Sequence, residues 1–496
     1  MRQRRQSLIA ISIAMALVMA SCGKDRQATP PSVAPAPVSA ATIPATTPDT
    51  EPGTAASDTT TAPTDDTVVE TVPVVDVPMF GDAPWPCGPG DGTNTDSGNE
   101  PGVTADSVSV GTGDDAGNAF SPGLNDSITS AINAMAAKCN ELGGINGRTI
   151  TVNYYDAKLF EAKAAMQAAC DANEFYMLGE GWAFDGDQEE IRIGCGMPAM
   201  PTYTVSAAFA HAAGVYQAVP NPADETPSGS FEQMATLFPE EIKAAGTLAG
   251  NIGATRETRD KVIAVAPEFG WNFVSTNLEY QAAGETDWTP FVKQLQDAGV
   301  KLLVWSGSCL PNLQLFVQTA KANGFDVPIL TDANQYEDKC AAANTDGALD
   351  KVYIRMVYTP FEEADANKAT QDYLDVMAAG DGKTSLLGMQ AATNFLLWAT
   401  VASQCGAELT RACVADNASK VHEWTGHGLH AVDDPGGNHS SSCSTLIKLE
   451  GTTYVRVDPT EAGTTACKPN WISKVVGVPA LEPLLLDENR VSHQFD

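Results

Sequence analysis

Residues 107–156 read SVSVGTGDDAGNAFSPGLNDSITSAINAMAAKCNELGGINGRTITVNYYD. Ser107–Gly113 alternates valine with small polar residues, the period of a half-buried strand. Leu124, Ile128, Ile132, Met135 and Cys139 then recur every three or four residues, which lines one face of a helix that Pro122 can start. Thr149–Tyr155 returns to a strand pattern rich in β-branched and aromatic residues. Strand, helix and strand in this order predict a parallel sheet covered on both faces.

The same alternation continues downstream. A helix is expected over Glu161–Ala172, a strand over Phe175–Gly179, a short helix over Gln188–Ile193, and strands over Pro198–Tyr203 and Val215–Val219. The turn-rich stretch Pro220–Pro227 (PNPADETP) interrupts, and a second set begins. Its helices are expected at Phe231–Ala245, Glu257–Ala266, Trp288–Ala298 and Asn312–Asn323. Its strands are expected at Thr247–Ile252, Phe273–Tyr280, Val300–Trp305, Val327–Thr331 and Val352–Tyr358. Long helices at Lys368–Ala379, Leu387–Gln404 and Leu409–Trp424 follow, then a hairpin, Ser444–Leu449 and Thr453–Val457, turning at Glu450-Gly451. Two α/β lobes suit the roughly 400 residues available for folding.

Upstream, Arg2, Arg4 and Arg5 precede an apolar run, Leu8–Met19, too short to span a bilayer. It ends at Val18-Met19-Ala20-Ser21-Cys22, which resembles the lipobox of bacterial lipoproteins; Met19 stands where that pattern prefers Leu. The resemblance implies cleavage before Cys22 and a diacylglycerol on its thiol. From Gly23 to Phe80 the chain is Pro, Thr, Ala, Ser and Asp with almost no aromatics, a composition expected to remain an unfolded tether. As a flexible coil it would span roughly 40 Å.

Of 11 cysteines, ten remain once Cys22 is set aside, an even number in a chain addressed to an oxidising compartment. Their clustering suggests Cys170 with Cys195, Cys309 with Cys340, Cys405 with Cys413, and Cys443 with Cys467, leaving Cys87 for Cys139; spacing alone leaves other connectivities open. The formal net charge of −33 argues against nucleic acid and anionic membrane surfaces as partners. No later apolar stretch reaches the length of a membrane helix, so the lipid is the only membrane anchor expected.

Several stretches together resemble type I periplasmic binding proteins of the branched-chain amino acid class, which feed ABC transporters. Leu142–Arg148 (LGGINGR) is similar to that family's turn before its second strand, which here ends in Asp156. Gly284–Leu295 (GETDWTPFVKQL) resembles its G-x-x-D-F-x-P segment, with Trp288 for Phe. Ser306–Gly324 resembles its strand-loop-helix, and Gly388–Gly406 its long helix, with Met389-Gln390 where Tyr-Asp is usual. The resemblance runs from about Val103 to Val457.

It implies two Rossmann-like lobes joined by three crossings, near Val219–Asp224, Tyr358–Asp365 and within Thr425–Ser442. The organisation expected is a leader at 1–22, a tether at 23–80 and a cysteine-stapled lead-in at 81–102. Lobe 1 would hold 103–220 and the returning helices of 359–430. Lobe 2 would hold 221–358, and 431–496 would bring the hairpin back to lobe 2 and end in a tail. The implied function is an extracytoplasmic receptor, not an enzyme. It would pass an amino acid, amide or related small organic compound to an importer's permease and ATPase, as a monomer without a cofactor. A surface lipoprotein with an enzymatic or scaffold role on the same fold is the rival reading.

In amino-acid binders of this family, a serine after the third strand and an Ala/Thr pair after the fourth hold the ligand's carboxylate. Here those loops offer Trp182, Ala183 and Phe184, with no serine, and then Thr202, Tyr203 and Thr204. The second lobe offers Asn251, Thr255, Ser306, Ser308, Asp332, Asn334 and Gln335, with the family's amine-binding acid falling near Asp332.

Other motifs carry less. Gly111–Gly117 (GTGDDAG) has the wrong spacing for a dinucleotide loop, and Asp114 and Asp115 would repel a pyrophosphate; it reads as a turn lining the cleft. Gly382-Lys383-Thr384 follows a helix, not a strand, and reads as a helix end. His422, His427, His430, His439 and Cys443 lack the i, i+3/i+4 spacing of a helical zinc site, and Asp91, Asn94, Asp96 and Glu100 read as loop chemistry; no metal is expected. No GxSxG motif occurs.

Overall fold

The computed structural model describes residues 77–95, 100–478 and 486–494. Cys22, the leader and nearly all of the tether lie outside the described residues. Met79–Phe80 (β1) and Ala83–Pro84 (β2) form a small hairpin. The first lobe has four parallel strands, β3 (Ser107–Thr112), β4 (Thr149–Tyr154), β5 (Tyr176–Leu178) and β6 (Ala199–Met200), in the order β4-β3-β5-β6. Helices α1 (Ser127–Glu141), α2 (Ala162–Asp171) and α3 (Glu189–Gly194) cover it, with a single turn, α4 (Ala207–Ala210), at one end.

Between α1 and β4 the GGINGR turn has a direct physical cause. Gly143, Gly144, Asn146 and Gly147 all have positive φ, and a Cβ on Gly144 would lie 2.0 Å from the Arg148 carbonyl oxygen. Arg148 is fully buried there; its guanidinium donates to the carbonyls of Thr104 (2.9 Å) and Ala407 (2.7 Å) and to Asn94 Oδ1 (3.0 Å).

The chain then passes to the second lobe through β7 (Glu225–Pro227) and α5 (Gly229–Leu237). Strands β8 (Ala245–Gly250), β9 (Phe273–Tyr280), β10 (Leu302–Ser306), β11 (Ile329–Thr331) and β12 (Val352–Met356) run parallel. Helices α6 (Gly253–Val265), α7 (Thr289–Asp297), α8 (Gln314–Ala322) and α9 (Asp338–Ala343) lie between them. The antiparallel hairpin β13 (Cys443–Glu450) and β14 (Thr453–Asp458) extends this sheet, giving the order β14-β13-β12-β11-β10-β8-β9; β15 (Ala466–Cys467) pairs with β13, and β16 (Ile472–Lys474) pairs with β7.

Before the hairpin, α10 (Lys368–Ala379), α11 (Leu386–Ser403) and α12 (Arg411–Ala418) intervene. Helix α11 packs on α1 and is buried on nearly every face, as an all-round apolar helix must be. One continuous buried cluster runs from Val108 and Ile132 through Phe395 and Tyr358 to Trp305 and Ile447. Bridges join Cys87–Cys139, Cys170–Cys195, Cys309–Cys340, Cys405–Cys413 and Cys443–Cys467.

Three elements depart from the sequence reading, the first being the helix expected over Phe231–Ala245, which ends at Leu237, with Ala245 already opening β8. The helix expected over Leu409–Trp424 is only α12; Thr410 caps its start through the Cys413 N–H, and beyond Ala418 the chain turns so that Trp424 pairs with Asp433. Val215–Val219 makes one bridge to Ala199 instead of a strand, because the Ala218 N–H bonds Asn394 Oδ1 (2.9 Å) and the Gln217 amide bonds the Thr202 carbonyl. Among the described residues no helix is long and apolar enough to cross a membrane.

Candidate functional site

Strand order reverses between β3 and β5 in the first sheet and between β8 and β10 in the second. In open α/β sheets the crevice at such a switch point, outside the carboxyl ends of the strands, is where ligands bind. At the first-lobe edge, aspartates hold the loops. Asp115 accepts the backbone N–H groups of Leu159 and Ala183, both at 2.8 Å, so one carboxylate ties together the loops after β3, β4 and β5. Asp185 accepts from Val205 (2.6 Å) and Ser206 (2.9 Å) after β6. Asp114 takes the Ala116 N–H (3.0 Å) and the Tyr154 hydroxyl (2.6 Å), and Asp156 takes the N–H groups of Gly117 (3.2 Å) and Lys158 (2.9 Å). Burial pushes Asp115 up to about 6 and Asp185 to about 7. Glu180, just past β5, is fully buried with neither carboxylate oxygen partnered, and burial raises it to about 8.

Amides hold the second-lobe edge instead. Asn312 Nδ2 donates to the Ala282 carbonyl (3.1 Å), and Gln335 Nε2 donates to the Gly307 carbonyl and to Asn334 Oδ1 (3.0 Å). Gly307 has φ +156°, and a Cβ there would strike the Tyr280 hydroxyl at 1.7 Å. Asn251 bridges the loops after β8 and β9, giving Nδ2 to Gln281 (2.8 Å) and accepting the Ala282 N–H (3.0 Å).

Helix α6 of the second lobe lies against the first crossing, and the charge of Glu257 on that helix adds to the rise of Asp185 on the first edge. Glu257 is itself pushed up to about 7, mainly by burial, and its Oε2 has no partner. One turn along α6, buried Lys261 donates to the Pro222 carbonyl (2.6 Å) and to Asn221 Oδ1 (3.2 Å), pinning the second lobe to the first crossing. Burial lowers Lys261 to about 8.

Behind the cleft the crossings pair with each other, Tyr358 with His430 and the Glu225 carboxylate with the Ser440 N–H (3.1 Å). Arg490 from the C-terminal segment bridges Asp224 and Glu225, both at 2.7 Å. Burial opposes the Asp224 charge, but His211, Arg490 and Lys474 together hold its carboxyl below the usual range.

A family model described as periplasmic binding protein matches residues 201–453. The chain belongs to that family. Three solved structures share the fold. The solute-binding protein of an ABC transporter from R. palustris, in complex with 4-hydroxybenzoate, has a TM-score of 0.61 at 14% identity, covering 74% of this chain and 99% of that one. A leucine-binding protein from Thermotoga maritima has a TM-score of 0.59 at 13% identity, covering 73% and 99%. A fatty acid ABC transporter substrate-binding protein from Thermomonospora curvata has a TM-score of 0.57 at 16% identity, covering 73% and 97%. No curated protein matches the sequence.

Within this periplasmic binding protein the residues singled out from the sequence fall into two groups. Tyr203, Asn251, Thr255, Ser308, Asp332 and Asn334 are half-buried or exposed at the strand edges, with Phe184 near Phe160 (ring centroids 5.2 Å apart). Trp182, Thr202, Thr204 and Ser306 are buried. Trp182 packs with Met177 and Phe209 in the first lobe's interior, and Thr202 donates to the Gly179 carbonyl (2.9 Å). Thr204 donates to Gln217 and the Asn221 carbonyl, both at 3.2 Å, and Thr255 to the Gly250 carbonyl (2.5 Å). The Ala183 N–H serves Asp115. Asp332 pairs with Arg355 at 2.6 Å. Sequence reasoning put Asp115 in a turn lining the cleft without seeing its partners, and passed over Asp185, Asn312, Glu257, Lys261 and Arg355. The adjacent acids directly after β3 were the available signal, and their partners lie tens of residues away.

The histidines have separate partners: His422 has Asp434 (2.8 Å), His430 has Thr393 (2.9 Å) and Asp433 (3.1 Å), and His439 has Glu225 (3.2 Å) and Arg490 (2.6 Å), while His427 Nδ1 has none.

Proposed function

We propose that this chain is an extracytoplasmic receptor that captures a small polar organic molecule, from the amino acids, amides and related compounds, and presents it to an ABC importer. The observation that carries the reading is the pair of sheets with a switch point each, tied together where Lys261 of α6 meets the first crossing, in a member of a periplasmic binding protein family. The ligand sits between them, against Tyr203 and Phe184 on one side and Asn251, Ser308, Asn334, Gln335 and Asp332 on the other. Binding draws the edges together through contacts the open form lacks, and the closed form is what the permease and its ATPase accept. Relatives solved with or named for leucine, 4-hydroxybenzoate and fatty acids show how widely one fold accommodates different cargo.

No chemistry is performed on the cargo. The protein works as a monomer held to the membrane through a lipid on Cys22, with the tether setting its reach. Native mass spectrometry of the purified protein, followed by incubation with the molecule it releases, tests this. The reading expects stoichiometric binding of an unaltered compound. Turnover of the compound, or a nucleotide or macromolecule in its place, would refute it.

A further inference from the structure

The cleft's hydrogen-bonding polarity is lopsided. On the first-lobe edge, seven backbone N–H groups that could receive an anion, drawn from all four loops, are already taken by Asp114, Asp115, Asp156 and Asp185, and the unpartnered indole N–H of Trp182 is buried in the lobe's interior. The hydroxyls of Thr202 and Thr204 point to protein acceptors. A ligand carboxylate would have to displace one of these bonds and lie against fixed acids.

On the second-lobe edge three unpartnered atoms are acceptors, while the unpartnered indole N–H groups of Trp288 and Trp305 lie in the aromatic cluster they form with Phe316. Gln335 is fully buried and Asn312 is 2% exposed, yet Gln335 Oε1 and Asn312 Oδ1 have no partner, nor does Glu257 Oε2. Their orientation is fixed, because the NH2 group of each amide donates to a backbone carbonyl, of Gly307 and Ala282 respectively; a flipped amide would set oxygen against oxygen. A buried acceptor without a donor costs about 1–3 kcal/mol in general, so a donor supplied by the ligand is favoured here.

Resting on the receptor reading above, we infer that the cargo is an amine or amide without a free carboxylate, its N–H groups meeting Gln335, Asn312 and Glu257. This separates the protein from receptors that hold an amino acid by its carboxylate.

Thermal-shift and calorimetric titration of the purified protein with carbon-matched sets tests it. The sets are isoamylamine, isovaleramide and isovalerate; benzylamine, benzamide and benzoate; and leucinamide against leucine. Binding is expected at least ten-fold tighter for an amine or amide than for the acid of the same set. For the best binder, Gln335→Met and Asn312→Leu should each weaken affinity ten-fold or more. An acid that binds as tightly as its amine or amide overturns the inference and leaves the receptor reading standing. Silence across every set overturns the inference and leaves the receptor reading to the native mass spectrometry above. Unchanged affinity in both variants also overturns the inference, and the unsubstituted protein's preference decides it if a variant fails to fold.

Discussion

In the first lobe the loops beyond β3, β4, β5 and β6 close on carboxylates, while in the second the loops beyond β8, β10 and β11 close on amides. Both devices satisfy backbone groups that an open strand edge would otherwise leave bare. They differ in what remains. A carboxylate accepting two N–H bonds fixes two loops and leaves negative charge, whereas an amide donating to one carbonyl leaves a neutral acceptor. The first edge is therefore stiffened and acidic, and the second carries the open hydrogen-bonding capacity.

The largest effect separating the two edges should come from Asp115. Asp115→Ala leaves the Leu159 and Ala183 N–H groups without acceptors, at a cost of about 2–4 kcal/mol. Gln335→Met takes a donor from exposed Asn334 Oδ1 and from the Gly307 carbonyl, which keeps its bond from Asn334 Nδ2 (3.4 Å), and should cost about 1 kcal/mol. Urea denaturation of both variants checks this, and equal losses would break the comparison.

Stability against pH comes next. Glu180, Asp185 and Asp115 of the first lobe, and Glu257 of the second, all titrate above their ordinary values, with burial the main cause. Between about pH 4 and 8 the folded chain holds protons that the unfolded chain has released. Stability is then full at the acid end of that window and falls as pH rises through 6 to 8. The melting temperature should be higher at pH 5.5 than at pH 8. Glu180→Gln should flatten that slope and raise stability at pH 8, on the order of 1–3 kcal/mol. A melting temperature that rises with pH across this window would contradict the assignment.

How far the two edges could be read from sequence follows from where their partners lie. Most strands and α11 were legible because their apolar period is local, and the GGINGR turn because it resembles the family's turn at that place; its positive-φ glycines supply the physical reason. The bond from Asp115 to Ala183 spans 68 residues, so the DD pair showed only a turn. Trp182 read as a pocket aromatic, yet its place just past β5 turns the ring into the interior beside Met177. The helix from Leu409 stopped early because the Trp424–Asp433 pairing, invisible in a helical period, takes the chain elsewhere.

The smallest expected effect is at Asp332. Its pair with Arg355 is about a quarter exposed on both sides, so Asp332→Asn should change stability by less than about 1 kcal/mol. Calorimetry that found a larger loss would show the second edge to be as charge-dependent as the first.

Closure between the edges is the central claim, and small-angle scattering measures it directly. Protein freed of ligand by reversible unfolding and dialysis, then saturated with the tightest-binding compound, should show a smaller radius of gyration and a shorter maximum dimension. An identical profile in both states, with binding verified by calorimetry on the same sample, would contradict the account.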